Sequence, residues 1–369
     1  MKYSSKLDII SLVCLYLCLS NKGDMIQFQC DYNEGAHPLI LQRLAETNME
    51  QTIGYGEDHY CDEARALIRK ACQRDDADVH FLVGGTQTNT TVISHTLRPY
   101  QGVISAVSGH INVHETGAIE ATGHKVLAID SPNGKLTDAQ IEQTMQAHLN
   151  EDGPEHMVQP GMVYLSFPTE VGTIYTYSEL QAISEVCRKH HLPLFIDGAR
   201  LGYGTCSPES DVTLPQLAQL ADVFYIGGTK VGALFGEAVI ITNEALKRDF
   251  RYSIKRHGGM LAKGRLLGLQ FATLFTDNLY MDIAQHAIDE AMRIKVALQE
   301  AGIKFLIDSP TNQQFPIFTN AQLEELGKKY RFSIWQQMDA EHTAVRICTS
   351  WATKSENVDQ LIEDIKRIS

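Results

Sequence analysis

What this 369-residue chain lacks narrows it first. It is short of basic residues, with 32 Lys and Arg against 45 Asp and Glu and a formal net charge of -13. No basic run offsets that deficit, which argues against a nucleic-acid surface, because phosphate recognition relies on clustered cations. Eight cysteines are scattered without a CxxC pair, so neither a zinc site nor a disulfide framework is indicated. Reduced thiols in a cytoplasmic protein fit that spacing. There is no HExxH motif, no heptad pattern, no internal repeat and no Pro/Gly-rich linker. The apolar run from Ile9 to Leu19 is too short to span a bilayer. It follows lysines near the start and imitates a secretory signal, yet no clean small-residue cleavage site comes after it. We therefore expect residues 1–24 to be a non-core extension from an over-extended start, with an export signal as the alternative and the fold beginning at Met25.

What is present is an ordinary soluble globular composition, 44% apolar and 21% charged, on a chain long enough for two domains. His37-Pro38 opens a first helix, proline being favoured in a first turn. Asp62 to Arg74 is spaced as a second helix. After it the chain alternates. Val79 to Val83 reads as a strand before a GGT turn and a helix. Gly102–Ala106, His124–Asp130, Met162–Phe167, Leu192–Ile196, Phe224–Gly228 and Ala238–Thr242 are further strands. The helices between them are expected at Asn112–Thr122, Leu136–Leu149 and Ser178–His190. Such alternation predicts an α/β fold, a mostly parallel sheet flanked by helices, with ligands at the carboxyl ends of the strands. Beyond Arg265 the pattern changes to a long helical stretch broken near Asp277-Asn278, then short strands and two helices, Ala321–Tyr330 and Ser355–Ile368. We divide the chain into a large domain over 25–265, including an N-terminal arm, and a smaller C-terminal α+β domain over 266–369. The segment after Met25 is expected on the smaller domain's side of the cleft.

Lys230 is the conspicuous residue. It sits in VFYIGGTKVGALF (223–235), boxed in by apolar and small residues. Burial of that kind lowers a lysine pKa and favours the neutral amine that forms Schiff bases. The alternative is a lysine snorkelling at a strand end. Asp197, at the end of the preceding strand, gives that lysine a partner with chemical meaning. Its carboxylate suits the protonated pyridine nitrogen of pyridoxal phosphate, with Lys230 as the covalent attachment. An N-cap or an ion pair with Arg200 is the structural alternative for Asp197. The start of the helix after Gly84 offers backbone amides to an anion, with Gly85 and Thr86 in position. His110 and His114 are four residues apart, but no third ligand is visible and no metal site is expected.

Eight segments, in order, carry a resemblance: DYNEGAHP (31–38), YGEDHY (55–60), GGTQTN (84–89), SGHINVHETGAIE (108–120), PTEVGTIY (168–175), IDGARLGYG (196–204), YIGGTKVGALFGEA (225–238) and RHGGMLAKGRLLGLQ (256–270). The chain resembles the L-threonine aldolase/β-eliminating lyase group of fold-type I pyridoxal-phosphate enzymes, in the form of a divergent bacterial branch. The resemblance implies that Lys230 is the Schiff-base lysine, Asp197 the pyridinium partner, and Gly85 and Thr86 the phosphate site. It implies His110 stacked on the ring, and Arg200 and Arg346 near the substrate carboxylate. Glu115 is expected to be structural. Two positions depart from the best-known aldolases: Cys30 replaces a serine, and Phe167-Pro168-Thr169-Glu170 stands where those enzymes carry a histidine loop. Cys30 and His37 are candidate substrate contacts, and His37 or His110 a candidate base. The implied activity is cleavage of an L-β-hydroxy-α-amino acid to glycine and an aldehyde. β-Elimination, transamination or cofactor binding without catalysis are the alternatives. A homodimer or homotetramer with the active site at the interface is implied too, with Lys255, Arg256 or Lys263 of a neighbouring copy helping to hold the phosphate.

Overall fold

Runs of β-branched and aromatic residues, buried on both faces, form the strands that carry this fold. The computed structural model describes residues 25–368; the expected non-core extension, 1–24, lies outside them. A short strand β1 (Ile26–Gln27) precedes the main sheet: β2 (Asp78–Leu82), β3 (Gln101–Ala106), β4 (Val126–Ile129), β5 (Gln159–Ser166), β6 (Leu194–Asp197), β7 (Val223–Gly227) and β8 (Glu237–Ile241). Their order across the sheet is β2-β8-β7-β6-β5-β3-β4. The pairs from β4 through β7 are parallel, while β8 runs antiparallel to both β7 and β2. β6, β7 and β8 are buried at every position, as a sheet covered on both faces requires. Separate apolar cores fill its two sides, one containing Leu165, Ile196 and Phe224, the other Tyr164, Phe195 and Tyr225. That is the alternation of a strand read out residue by residue.

A second sheet follows, built from β9 (Lys304–Ile307), β10 (Gln313–Thr319), β12 (Ser333–Gln337) and β13 (His342–Cys348), antiparallel in the order β12-β13-β10-β9. Between them β11 (Tyr330–Arg331) pairs in parallel with β1, and Phe28 enters the core beside Phe318, Val345 and Leu361. The segment after Met25 thus forms a two-stranded sheet with β11 and packs in the smaller domain's core. The helix Leu279–Glu300 belongs to both parts. Its first half (Tyr280, Ala284, Ile288) packs in the large core, its second (Ile294, Leu298) in the small one.

Three helix limits differ from expectation. Asp58 caps the second helix by accepting from the Cys61 amide, so it begins at His59. The helix expected over 112–122 is one turn, His110–Val113, and a 3-10 turn, Glu120–Thr122. Left-handed backbone at Thr116 (φ 54°) and Gly117 (φ 73°) separates them. The helix expected to reach Tyr330 stops at Leu326, because Tyr330 pairs with Ile26 instead. The expected break at Asp277-Asn278 is present, with φ of 51° and 61°.

Candidate active site

The ends of β5, β6 and β7 open onto a cavity of about 510 Å³, at the sheet edge where parallel strands gather ligands. Asp197 is the last residue of β6, and Lys230 lies just beyond β7. Two glycines let those strand ends come together. A Cβ on Gly198 would stand 1.9 Å from the Tyr225 carbonyl oxygen, and one on Gly227 would stand 2.3 Å from that of Ala199. Neither contact is possible for a larger residue.

Four donors converge on Asp197. Oδ1 accepts from Tyr225 Oη at 2.5 Å and the Ala199 amide at 3.0 Å, and Oδ2 from Tyr164 Oη at 2.6 Å and Asn89 Nδ2 at 3.1 Å. Burial raises both tyrosine pKa values well above the ordinary phenol range, with Asp197 adding to the effect, so both stay donors. Burial pushes the Lys230 pKa down, and Arg200 pushes it further; Asp31, Asp197 and Glu237 oppose the shift in part. Glu237 is only 3% exposed, and burial drives its pKa up. Its carboxylate accepts from Thr229 Oγ1 at 2.9 Å and the Gly228 amide at 3.2 Å, bracing the turn that presents Lys230.

The helix Gly85–Thr96 points its start into the same cavity. Gly84 supplies no side-chain cap, and the amides of Gly85, Thr86 and Gln87 have no acceptor among the described residues. Uncapped first-turn amides attract an anion through both hydrogen bonding and the helix dipole. An amine held towards neutral, a carboxylate positioned by four donors and the uncapped amides of a helix start are the fittings that suit pyridoxal phosphate. The residues fit the cofactor.

His110 lines the cavity and is oriented by Glu115. Nδ1 lies 2.8 Å from Glu115 Oε1, which also accepts from Asn89 at 2.7 Å. Glu115 is buried and acts through His110 and Asn89. The rings of His110 and His114 are 5.5 Å apart. Among the described residues no cluster of three or more His, Cys, Asp or Glu side chains is placed to hold a metal.

Both arginines reach the cavity already engaged. Arg200 grips Asp31 with Nε at 2.6 Å and Nη2 at 3.0 Å, leaving Nη1 without a partner among the described residues. The ion pair foreseen as an alternative for Asp197 therefore forms with Asp31 instead. Arg346 lies over the Trp335 ring at 5.5 Å and donates to Gln313 Oε1 and the Gln29 carbonyl, both at 3.2 Å. Gly85, Thr86, His110, Asp197, Arg200, Lys230 and Arg346 thus share one cavity. Cys30 and His37 are not among its lining residues. Cys30 Sγ donates to Asn33 at 3.0 Å, and His37 caps its helix by accepting from the Leu39 amide at 3.3 Å. Each side chain closes a local turn.

Sequence reasoning passed over Asp31, Glu237 and the tyrosine pair, and named Glu170 only as part of the loop that departs from the best-known aldolases. Asp31, Glu170 and Glu237 lie inside the matched segments, and that placement was the available signal. Tyr225 opens the segment 225–238 and Tyr164 lies outside all eight, and both read as core aromatics. A larger groove of about 1030 Å³ lies elsewhere, among Leu67, Cys206, Leu214, Met281 and Met292. It holds no buried lysine–acid pair, so chemistry rather than volume selects the site.

Residues 30–321 match the profile of a family described as β-eliminating lyase. A low specificity L-threonine aldolase from a Pseudomonas species is 30% identical over 350 residues, covering 93% of this chain and 97% of that protein. A solved structure of Leishmania major threonine aldolase is 46% identical with a TM-score of 0.90, covering 93% of this chain and 99% of that one. A mutant Thermus thermophilus aspartate aminotransferase is 14% identical with a TM-score of 0.67, covering 100% of this chain and 97% of that one. The last likeness shows the fold alone.

Proposed function

The chain belongs to the β-eliminating lyase family and is a pyridoxal-phosphate-dependent lyase, and from that premise we propose that it cleaves an L-β-hydroxy-α-amino acid to glycine and an aldehyde. Substrates of the threonine, allo-threonine or phenylserine kind are meant. The carrying observation is the Lys230 amine, held towards neutral in the same cavity as the Asp197 carboxylate. The cofactor, when bound, supplies a cationic ring that stabilises the electron pair left on the substrate α-carbon.

Every other role falls to this chain. Lys230 is the covalent attachment point, and its low pKa keeps the amine nucleophilic. Asp197, fixed by four donors, would pair with the ring nitrogen. The Gly85 and Thr86 amides would take the phosphate, and His110, steadied by Glu115, would pack on the ring. Arg200 Nη1 and the Arg346 guanidinium hold the substrate carboxylate, and their protein partners orient them before substrate arrives. Cys30 and His37 contribute to the frame only. A homodimer or homotetramer with the cavity at its interface is part of this reading. Exposed Met49, Ile53, Tyr55 and Tyr252 support it. A cytoplasmic setting is supported by the absence of any disulfide among the described cysteines. Among the described residues no helix is long and apolar enough to cross a membrane.

The test is glycine release by the cofactor-loaded protein from threonine, allo-threonine and phenylserine. No glycine from any of the three, with cofactor bound, overturns the proposal. The family's own description favours β-elimination as the second reading; ammonia and a keto acid released without glycine would identify it.

A further inference from the structure

Glu170 lines the cavity and has no part in the roles above. Its two oxygens are treated differently. Oε1 accepts from Ser166 Oγ at 2.5 Å and from the His110 backbone amide at 2.9 Å. Oε2 accepts from no other residue among those described, and it is not sealed inside the protein. One oxygen is anchored by two donors while the other is left open to the cavity. That is the geometry of a positioned proton acceptor.

The other lining acids are occupied. Asp197 takes four donors, and both oxygens of Glu237 are held by the Thr229 turn. His110, held at Nδ1 by Glu115, has its ring assigned to packing on the cofactor, and His114 sits exposed at the rim. Burial raises the Glu170 pKa; its bond to Ser166 opposes the shift and nearby Asp197 adds to it. A carboxylate so placed is a stronger base than one in water, while its two donors at Oε1 keep the anion attainable.

We propose that Glu170 is the catalytic base of the cleavage, its Oε2 taking the proton of the substrate's β-hydroxyl. This rests on the lyase reading above. As the proton moves to Oε2, the former O–H pair becomes the second C–O bond of the aldehyde. The Cα–Cβ bond breaks and its pair stays with Cα, which later takes one proton to become glycine. One proton leaves oxygen and one arrives at carbon, so Glu170 returns to its starting state through exchange with solvent and no other reactant is consumed.

Glu170→Gln is the test, because the amide Oε1 still accepts from Ser166 and His110 while the open position loses its basicity. With the best substrate of the glycine-release assay, kcat should fall at least about 100-fold, the lower range for a lost general base. Two readouts should stay within about threefold of wild type: the cofactor dissociation constant from absorbance titration, and exchange of the glycine α-proton in D2O, which involves no β-hydroxyl. Retention of more than about a tenth of the cleavage rate overturns the proposal. So does a parallel loss of cofactor binding or of α-proton exchange, which marks a structural role. A wild-type protein that binds cofactor but releases no glycine fails the lyase reading first and takes this proposal with it. An active wild type with an equally active variant removes Glu170 alone.

Discussion

Asp31→Asn should cost the protein about 3 kcal/mol of stability, a figure that follows from its burial and charge. The Asp31 side chain has no exposed surface and that of Arg200 is 12% exposed; two charge-assisted hydrogen bonds join them and Asn312 Nδ2 adds a third at 2.9 Å. Burial pushes the Asp31 pKa up, but Arg200 and then Lys230 outweigh it and hold it at about 2, against an ordinary 3.8. At about 1.4 kcal/mol per tenfold change, that depression corresponds to roughly 2 kcal/mol. The substitution also leaves a guanidinium buried without its counter-charge, and losing one partner of a buried pair costs about 3–5 kcal/mol. The asparagine amide retains part of the hydrogen bonding, which places the expectation at the low end. Because the folded-state pKa lies below the unfolded one, the contribution is complete above 3.8 and is lost as pH falls through about 2. Urea unfolding of both proteins should therefore show curves well separated at neutral pH that converge in acid. A neutral-pH difference under about 0.5 kcal/mol, as for an exposed pair, refutes the reasoning. A gap that does not narrow in acid refutes it equally.

Lys230→Ala should abolish both the lysine-linked cofactor absorbance and turnover, and a surviving lysine-linked band would refute the attachment. Gly268→Ala should destabilise by about 1–3 kcal/mol through overpacking, since its Cβ would stand 2.5 Å from the Cys61 Cα where the helices His59–Cys72 and Arg265–Leu274 touch. An unchanged melting temperature would show that the helices can part freely. Glu237→Gln should flatten the loss of cofactor-free stability with rising pH. Burial raises the Glu237 pKa above its unfolded value, so the contribution is whole below the ordinary carboxylate range and lost as pH rises through the raised value. Parallel melting-temperature profiles for variant and wild type would contradict this.

Lys230, Asp197 and the Gly84 turn are legible in one dimension because each is a local anomaly: a charge, an acid or paired glycines at the end of an apolar strand. The strand order of an α/β sheet turns such anomalies into neighbours, and the eight matched segments say the same. The fold class was readable for a related reason, since strand and helix periods differ. Helix ends were less so. The expected helix over 112–122 failed on left-handed backbone at Thr116, which a threonine does not advertise.

Tertiary structure alone decided how the polar groups are shared. Arg200 belongs to Asp31, 169 positions away in the chain, and two tyrosines from neighbouring strands hold Asp197. Cys30 and His37, plausible by their motif, are spent on local turns, while Glu170 keeps an oxygen open to the cavity. Sequence determines which side chains have the chemistry for a site. Which of their atoms remain free depends on partners brought together only when distant segments pack, and the reactive group is the one whose hydrogen bonds are left unfilled.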